Sequence, residues 1–173
     1  MRVTVAAVGP SPRRSGFGRA GGRARDEPEA ALFDRYWQRA SALGPKLGFS
    51  GFSTAFIETS RKSSAAERMR EEAGRLRRCL PRIAHLVVLD SRGQSLASDA
   101  FAGQLARVRD SGIADVAFVI GGPDGLLPEF RDSAQARIAF GPQTWPHLLV
   151  RCMLAEQIFR AVSILAGHPY HRA

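Results

Sequence analysis

Residues 2–8, 85–90 and 115–120 form short, nearly all-apolar runs, each stopped by a turn signal: Gly9-Pro10, Ser91-Arg92-Gly93 and Gly121-Gly122. A run too short for a helix and apolar on both faces is a strand covered on both sides. Between these runs the apolar residues recur at helical spacing. Covered strands that alternate with helices restrict the chain to an α/β domain with a mainly parallel sheet flanked by helices. At 173 residues a single domain with a real core is expected.

The helices between the strands carry their own punctuation. Asp26 with Glu29 reads as a capping box opening a helix that buries Leu32, Phe33, Tyr36, Trp37, Ala40 and Leu43 and stops at Gly44-Pro45. A second strand is expected at residues 54–58. Ser64 with Glu67 repeats the capping signal, Met69, Ala73, Leu76 and Leu80 form the next buried stripe, and Pro81 ends it. Glu71 and Arg75 stand one turn apart, whereas Arg68, Arg70, Arg77 and Arg78 read as a solvated face. A helix over residues 98–110 turns Phe101, Leu105 and Val108 inward, and Gly112 closes it. The last helix, residues 147–166, is apolar around most of its circumference, with a narrow polar strip at Arg151, Glu156, Gln157 and Arg160. Such a helix is deeply buried or shared with a second subunit, and in a chain of this size the expectation is the subunit interface of a homodimer.

The formal charge is +9, and 23 of the 25 basic residues are arginine. The excess favours a polyanion such as RNA or DNA, although the preference for arginine is also what a genome-wide compositional bias produces. Residues 11–25 hold five arginines and no acid, and read as a mobile Arg/Gly-rich insertion. No apolar run has the length of a membrane span, and the N-terminus lacks a signal-peptide core, so no membrane and a cytoplasmic location are expected. Cys79 and Cys152 stand far apart, outside any metal-binding pattern, and read as reduced thiols.

The chemistry gathers after residue 115. The fourth strand empties into Gly121-Gly-Pro-Asp-Gly125, and a short strand at residues 137–140 empties into Gly141-Pro-Gln-Thr-Trp145. The first loop fits neither the Walker nor the dinucleotide pattern, and alone an ordinary turn explains it. Paired loops at strand ends form a crevice whose backbone groups can bind a purine edge and a ribose, which suits adenosine. His147 starts the last helix; it could touch a ligand there or make a structural hydrogen bond. His168 and His171 lack a third ligand, so no metal is expected. The tail His168-Pro-Tyr-His-Arg172 is dense in groups that stack on bases or hold phosphate. No nucleophile elbow or Cys-His pair supports covalent hydrolysis.

Five segments then resemble one family: Leu89-Asp-Ser-Arg-Gly93, Ile120-Gly-Gly-Pro-Asp-Gly-Leu126, Thr144-Trp-Pro-His-Leu-Leu-Val-Arg151, Ala155-Glu-Gln157 and His168-Pro-Tyr-His-Arg172. They are similar to the bacterial large-subunit ribosomal RNA pseudouridine N3-methyltransferases, the minimal knotted SPOUT methyltransferases. The match is good from about residue 83 onward and colinear before that. The resemblance implies a single-domain α/β knot, with a deep trefoil threaded by the C-terminal segment, and a homodimer. It implies S-adenosylmethionine (S-adenosyl-L-methionine) held by Leu89, Gly121, Gly122, Phe140, Gly141, Pro142, Gln143, Thr144 and Trp145. The implied substrate is a pseudouridine of large-subunit ribosomal RNA on the assembled ribosome, approached by Arg151, His168, Tyr170 and Arg172. Proton removal could fall to His171, Tyr170 or His147, with Arg172 or Arg151 stabilising developing charge.

This chain departs from the family pattern in the 11–25 insertion, in Pro10, and in Pro142-Gln143, where Pro142 removes a backbone donor from the cofactor loop. The alternatives are a SPOUT enzyme with another RNA target and a non-catalytic ribosome-binding homologue with a weakened cofactor loop. A small-molecule nucleotide-binding domain is disfavoured by the missing phosphate loop.

Overall fold

The computed structural model describes residues 1–10 and 28–170. Residues 11–25, Asp26 of the first capping box, His171 and Arg172 lie outside that range. Five strands, β1 (Arg2–Val8), β2 (Gly51–Ile57), β3 (His85–Ser95), β4 (Asp115–Ile120) and β5 (Ala136–Ala139), form one sheet in the order β2-β1-β4-β3-β5. All four pairings are parallel. The helices are α1 (Pro28–Leu43), α2 (Ala65–Cys79), α3 (Ser98–Asp110), the short α4 (Pro128–Asp132) and α5 (His147–Leu165). The expected α/β class with a parallel, doubly covered sheet is what forms.

Side-chain alternation along the central strands builds two cores. Val3, Val5 and Ala7 of β1, with Val116, Phe118 and Ile120 of β4, meet Phe33 and Trp37 of α1, Phe101 and Leu105 of α3, and Leu154, Ile158 and Val162 of α5. The alternate residues Ala6, Val8 and Val119 face Ala73 and Leu76 of α2 and Phe130 of α4. Strands buried on both sides have no polar face to alternate with, which is why they read as continuous apolar runs.

Two boundaries differ from the sequence expectation by more than one residue. β2 starts at Gly51, because residues 51–57 pair one for one with residues 2–8. β3 does not end at Asp90. It bulges between Leu89 and Gln94 and resumes pairing with β5 at Gln94 and Ser95. Gly93 permits the bulge: a Cβ there would lie 2.6 Å from the Ile138 carbonyl carbon.

For the last helix the sequence left two readings, deep burial or a subunit interface. Nine of its residues, Arg151 among them, are buried within the single chain, because α5 packs between α1 and α3 on the sheet. The polar strip is a set of internal contacts. Arg151 donates to backbone carbonyls, Arg160 and Gln157 donate to Glu156, and Ser98 donates to Gln157. Intrachain burial accounts for these nine, whereas Leu148, Leu149, Val150 and Met153 remain part-exposed.

Candidate functional site

The strand order makes β3 the middle of the site. Leu89 pairs with Ile120 of β4 on one side and with Ile138 of β5 on the other. The carboxyl ends of β4, β3 and β5 therefore stand side by side, and the two glycine loops flank Leu89 rather than each other. A crevice of about 420 Å³ opens above them. Crevices of this size at the carboxyl ends of parallel strands take a small ligand. Leu89, Gly121, Gly122, Phe140, Gly141, Gln143, Thr144 and Trp145 all line it, as does His147. Pro142, exposed on the outside of its loop, does not.

The first loop is held from below. Gly125 donates to the Gly122 carbonyl at 2.9 Å, closing a tight turn, and Gly125 has φ +85°. A Cβ on Gly121 would lie 2.8 Å from the Gly125 carbonyl carbon, and one on Gly122 would lie 2.7 Å from Glu72 Oε2 and 3.1 Å from Val8. Gly121 is thus required by the loop's own return at Gly125, and Gly122 by contacts beneath the loop. From α2, Arg68 donates through Nε and Nη2 to Asp124 at 2.7 and 3.0 Å, a two-pronged clamp on the loop. The Arg68 hydrogen bonds hold the Asp124 carboxyl below its usual pKa.

Glu72 lies under the same loop, 2 % exposed. Its Oε1 accepts from the Ser60 amide at 2.8 Å, whereas Oε2 has no hydrogen-bond partner. Burial pushes its pKa up, helped by the charge of Asp124. Neither Arg68 nor Glu72 was among the sequence candidates. Glu72 carried a signal: it falls on the inner stripe with Met69, Ala73 and Leu76, where a carboxylate is out of place. Arg68 carried none, since its partner is 56 residues away.

The second loop closes on itself. Trp145 Nε1 donates to the Phe140 carbonyl at 3.1 Å, and Gly141 takes φ +97°. At the crevice rim Asp90 accepts from the Arg92 amide at 2.8 Å and pairs with Arg131 at 3.5 Å. Burial alone would raise the Asp90 pKa, but its hydrogen bonds with Arg92 and the charges of Arg92 and Arg131 hold it below the ordinary value. His147, half-buried in the first turn of α5, has its pKa lowered by burial and then by the charge of Arg151, so its imidazole is neutral near pH 7.

The remaining candidates stand elsewhere. Arg151 is 2 % exposed, with its guanidinium 4.9 Å from the Phe56 ring centroid and hydrogen-bonded to Val8 and Pro10. Tyr170 packs on Phe159 at 4.6 Å between ring centroids and donates to Glu156 at 3.1 Å, outside the crevice lining. Burial first, then hydrogen bonding with Tyr36 and the charge of Glu156, raise its pKa far above neutrality. His168 is exposed and accepts from the Tyr170 amide through Nδ1. Among the described residues no His, Cys, Asp and Glu cluster could hold a metal, and no helix is long and apolar enough to cross a membrane.

A family model described as "Predicted SPOUT methyltransferase" matches residues 19–171. A protein named Ribosomal RNA large subunit methyltransferase H from Bradyrhizobium diazoefficiens is 50% identical over 173 residues, covering 100% of each chain. Its namesake from a Rhodopseudomonas palustris strain is 53% identical over 152 residues, covering 88% of this chain and 95% of the relative. Among solved structures, the SpoU methyltransferase AviRb from Streptomyces viridochromogenes, in complex with AdoMet, matches with TM-score 0.39 and 12% identity over 92% of this chain and 59% of that one.

Proposed function

The chain belongs to the SPOUT methyltransferase family, and on that premise we propose that it methylates large-subunit ribosomal RNA from S-adenosylmethionine. The acceptor in this reading is N3 of a pseudouridine on the assembled ribosome. The observation that carries it is the crevice at Leu89, where eight of the nine residues expected to hold the cofactor line one cavity. The chain's own groups fit that cofactor. Two glycine loops offer backbone to a nucleoside, and the rim carries balanced charge, Asp90 and Asp124 against Arg92 and Arg131, as a zwitterionic amino-acid tail requires. The bound sulfonium supplies an activated methyl group.

The protein's part is to bind, orient and manage one proton. Methylation at N3 forms a nitrogen–carbon bond, breaks a sulfur–carbon bond and releases the N3 proton. Of the expected acceptors His171, Tyr170 and His147, His147 is the one that lines the crevice, and in this reading its neutral imidazole takes the proton. Holding base and methyl in line needs no covalent intermediate, so positioning supplies most of the acceleration. Of the tail residues, His171 remains a proposed proton acceptor, and Arg172 a proposed contributor to substrate binding and charge stabilisation. The trefoil knot and the homodimer belong to the same reading; a dimer would cover the cavity beside α1 and α5, where Leu32 and Trp145 are each 39% exposed. The non-catalytic alternative rests on Pro142 and Gln143; Pro142 lies outside the crevice lining, whereas Gln143 is part of it, and calorimetric titration with S-adenosylmethionine decides between the two readings. The test is incubation of purified protein and S-adenosylmethionine with ribosomes lacking the mark, then mass spectrometry of the digested RNA. A new N3-methylpseudouridine supports the reading, and an unmodified base with intact cofactor binding defeats it.

A further inference from the structure

We infer that the outward face of α2 is a docking surface for the phosphate backbone of large-subunit ribosomal RNA, placed beside the crevice by the Arg68–Asp124 clamp. The inference rests on the function proposed above and names the surface that delivers the substrate.

The charge distribution comes first. Residues 61–82 contain eight basic and three acidic side chains, and residues 11–25 contain five arginines and no acid. With a total of +9, the remainder of the chain sums to −1, so all of the positive excess sits in these two stretches. Residues 61–82 include α2, a well-formed helix. Its three acids face inward or are already engaged: Glu67 closes the capping box with Ser64, Glu71 binds Ser60 and Arg75, and Glu72 is buried. Arg68 is committed to Asp124, and Arg77 lies over Phe130 at 5.4 Å. Arg61, Arg70, Arg78 and Arg82 are exposed and have no carboxylate partner among the described residues.

Arg70 and Arg78 share a face of α2, and Arg61 and Arg82 lie beyond its two ends in the sequence. Positions 70, 74, 77 and 78 share one side of a helix, opposite the buried Glu72, Ala73 and Leu76. Gly74, a residue helices avoid in their interior, sits in the middle of this side. A Cβ there would meet nothing nearer than Arg78 at 4.0 Å, so no internal contact calls for glycine, and the backbone is open to close approach. Ile83, beside Arg82, is 89% exposed and can lie against a ribose or a base. Unpaired guanidinium groups on one rigid face complement a polyanion, and the inner side of the same helix grips the cofactor loop.

The test compares wild-type protein with the R70Q/R78Q/R82Q variant for binding to assembled ribosomes lacking the mark, across a salt series. Expected are a roughly 10–100-fold weaker association at moderate salt and a log K against log salt slope shallower by about 2. The melting midpoint and calorimetric S-adenosylmethionine binding should be unchanged. The R70K/R78K/R82K variant should bind nearly as wild type. Unchanged association and slope, in a variant that folds and binds cofactor, overturn the inference while the proposed function stands. Weaker association with an unchanged slope also overturns it, because the partner would then be ribosomal protein rather than phosphate. Wild-type protein that neither binds these ribosomes nor methylates them defeats the functional reading and this one together.

Discussion

The guanidinium of Arg151 in α5 donates to the carbonyls of Val8 and Pro10 at 2.7 Å each, tying the last helix to the exit of the first strand. Gly9 is required at this junction: it has φ +120°, and a Cβ there would lie 2.7 Å from Arg151 Nη2. Replacing Arg151 with Leu leaves buried carbonyls without a donor, a loss of about 2–4 kcal/mol. Arg151→Lys should recover part of it. Urea denaturation of the three proteins measures the difference, and an Arg151→Leu protein as stable as wild type would remove the tether from the account.

Asp124→Asn cuts the clamp between α2 and the first glycine loop while keeping its shape. S-adenosylmethionine affinity should fall roughly 5–10-fold, equivalent to about 1 kcal/mol of loop ordering. Arg68→Gln should do the same, and the double variant no more than either alone, because both remove one interaction. Calorimetric titration decides the matter; additive losses would mean the two residues act separately.

Gly122→Ala should be more damaging than its one methyl suggests. The new Cβ would stand 2.7 Å from Glu72 Oε2 and 3.1 Å from Val8 Cγ1, both on the packed underside of the loop. Overpacking of this kind costs about 1–3 kcal/mol, and the loop must lift toward the crevice to relieve it. Loss of cofactor binding with only a modest fall in melting temperature is the expected pattern. Pairing it with Glu72→Ala should restore part of the binding.

His85 and His147 both have folded pKa values below their ordinary value, through burial and, for His147, Arg151 as well. The folded state then binds fewer protons than the unfolded chain. Stability is therefore highest above the unfolded pKa of about 6.5 and declines as pH falls from there to the lower folded values. Below those values the two histidines add no further slope. Melting curves between pH 7.5 and about 5 should show this decline, weakened in the His147→Gln protein.

Tyr170→Phe tests a tail residue that the sequence offered as a base. Its hydroxyl donates to Glu156, and its raised pKa keeps it protonated at neutrality. The variant should keep the wild-type pH–rate profile, whereas His147→Ala should flatten the acidic limb and slow transfer by about 100-fold. Single-turnover rates on ribosomes lacking the mark separate the two.

What the residues determine without the fold is local or periodic. Short apolar runs announced doubly covered strands, the Ser64 and Glu67 pair formed its capping box as spaced, and contiguous motifs located the loop residues of the crevice. Such signals survive in sequence because the residues concerned interact within a few positions of one another or face a common layer. Tertiary structure alone decided the rest. It set Leu89 between the two loops, because strand order follows from which strand inserts between which, and β4 enters between β1 and β3 after both have formed in sequence. It took Arg68 from a solvated face to Asp124, 56 residues on, and Arg151 from an apparent polar strip to Val8, 143 residues back. Charge pairing depends on distance in space, and an arginine that is buried and paired is written in the chain with the same letter as one that waits for phosphate.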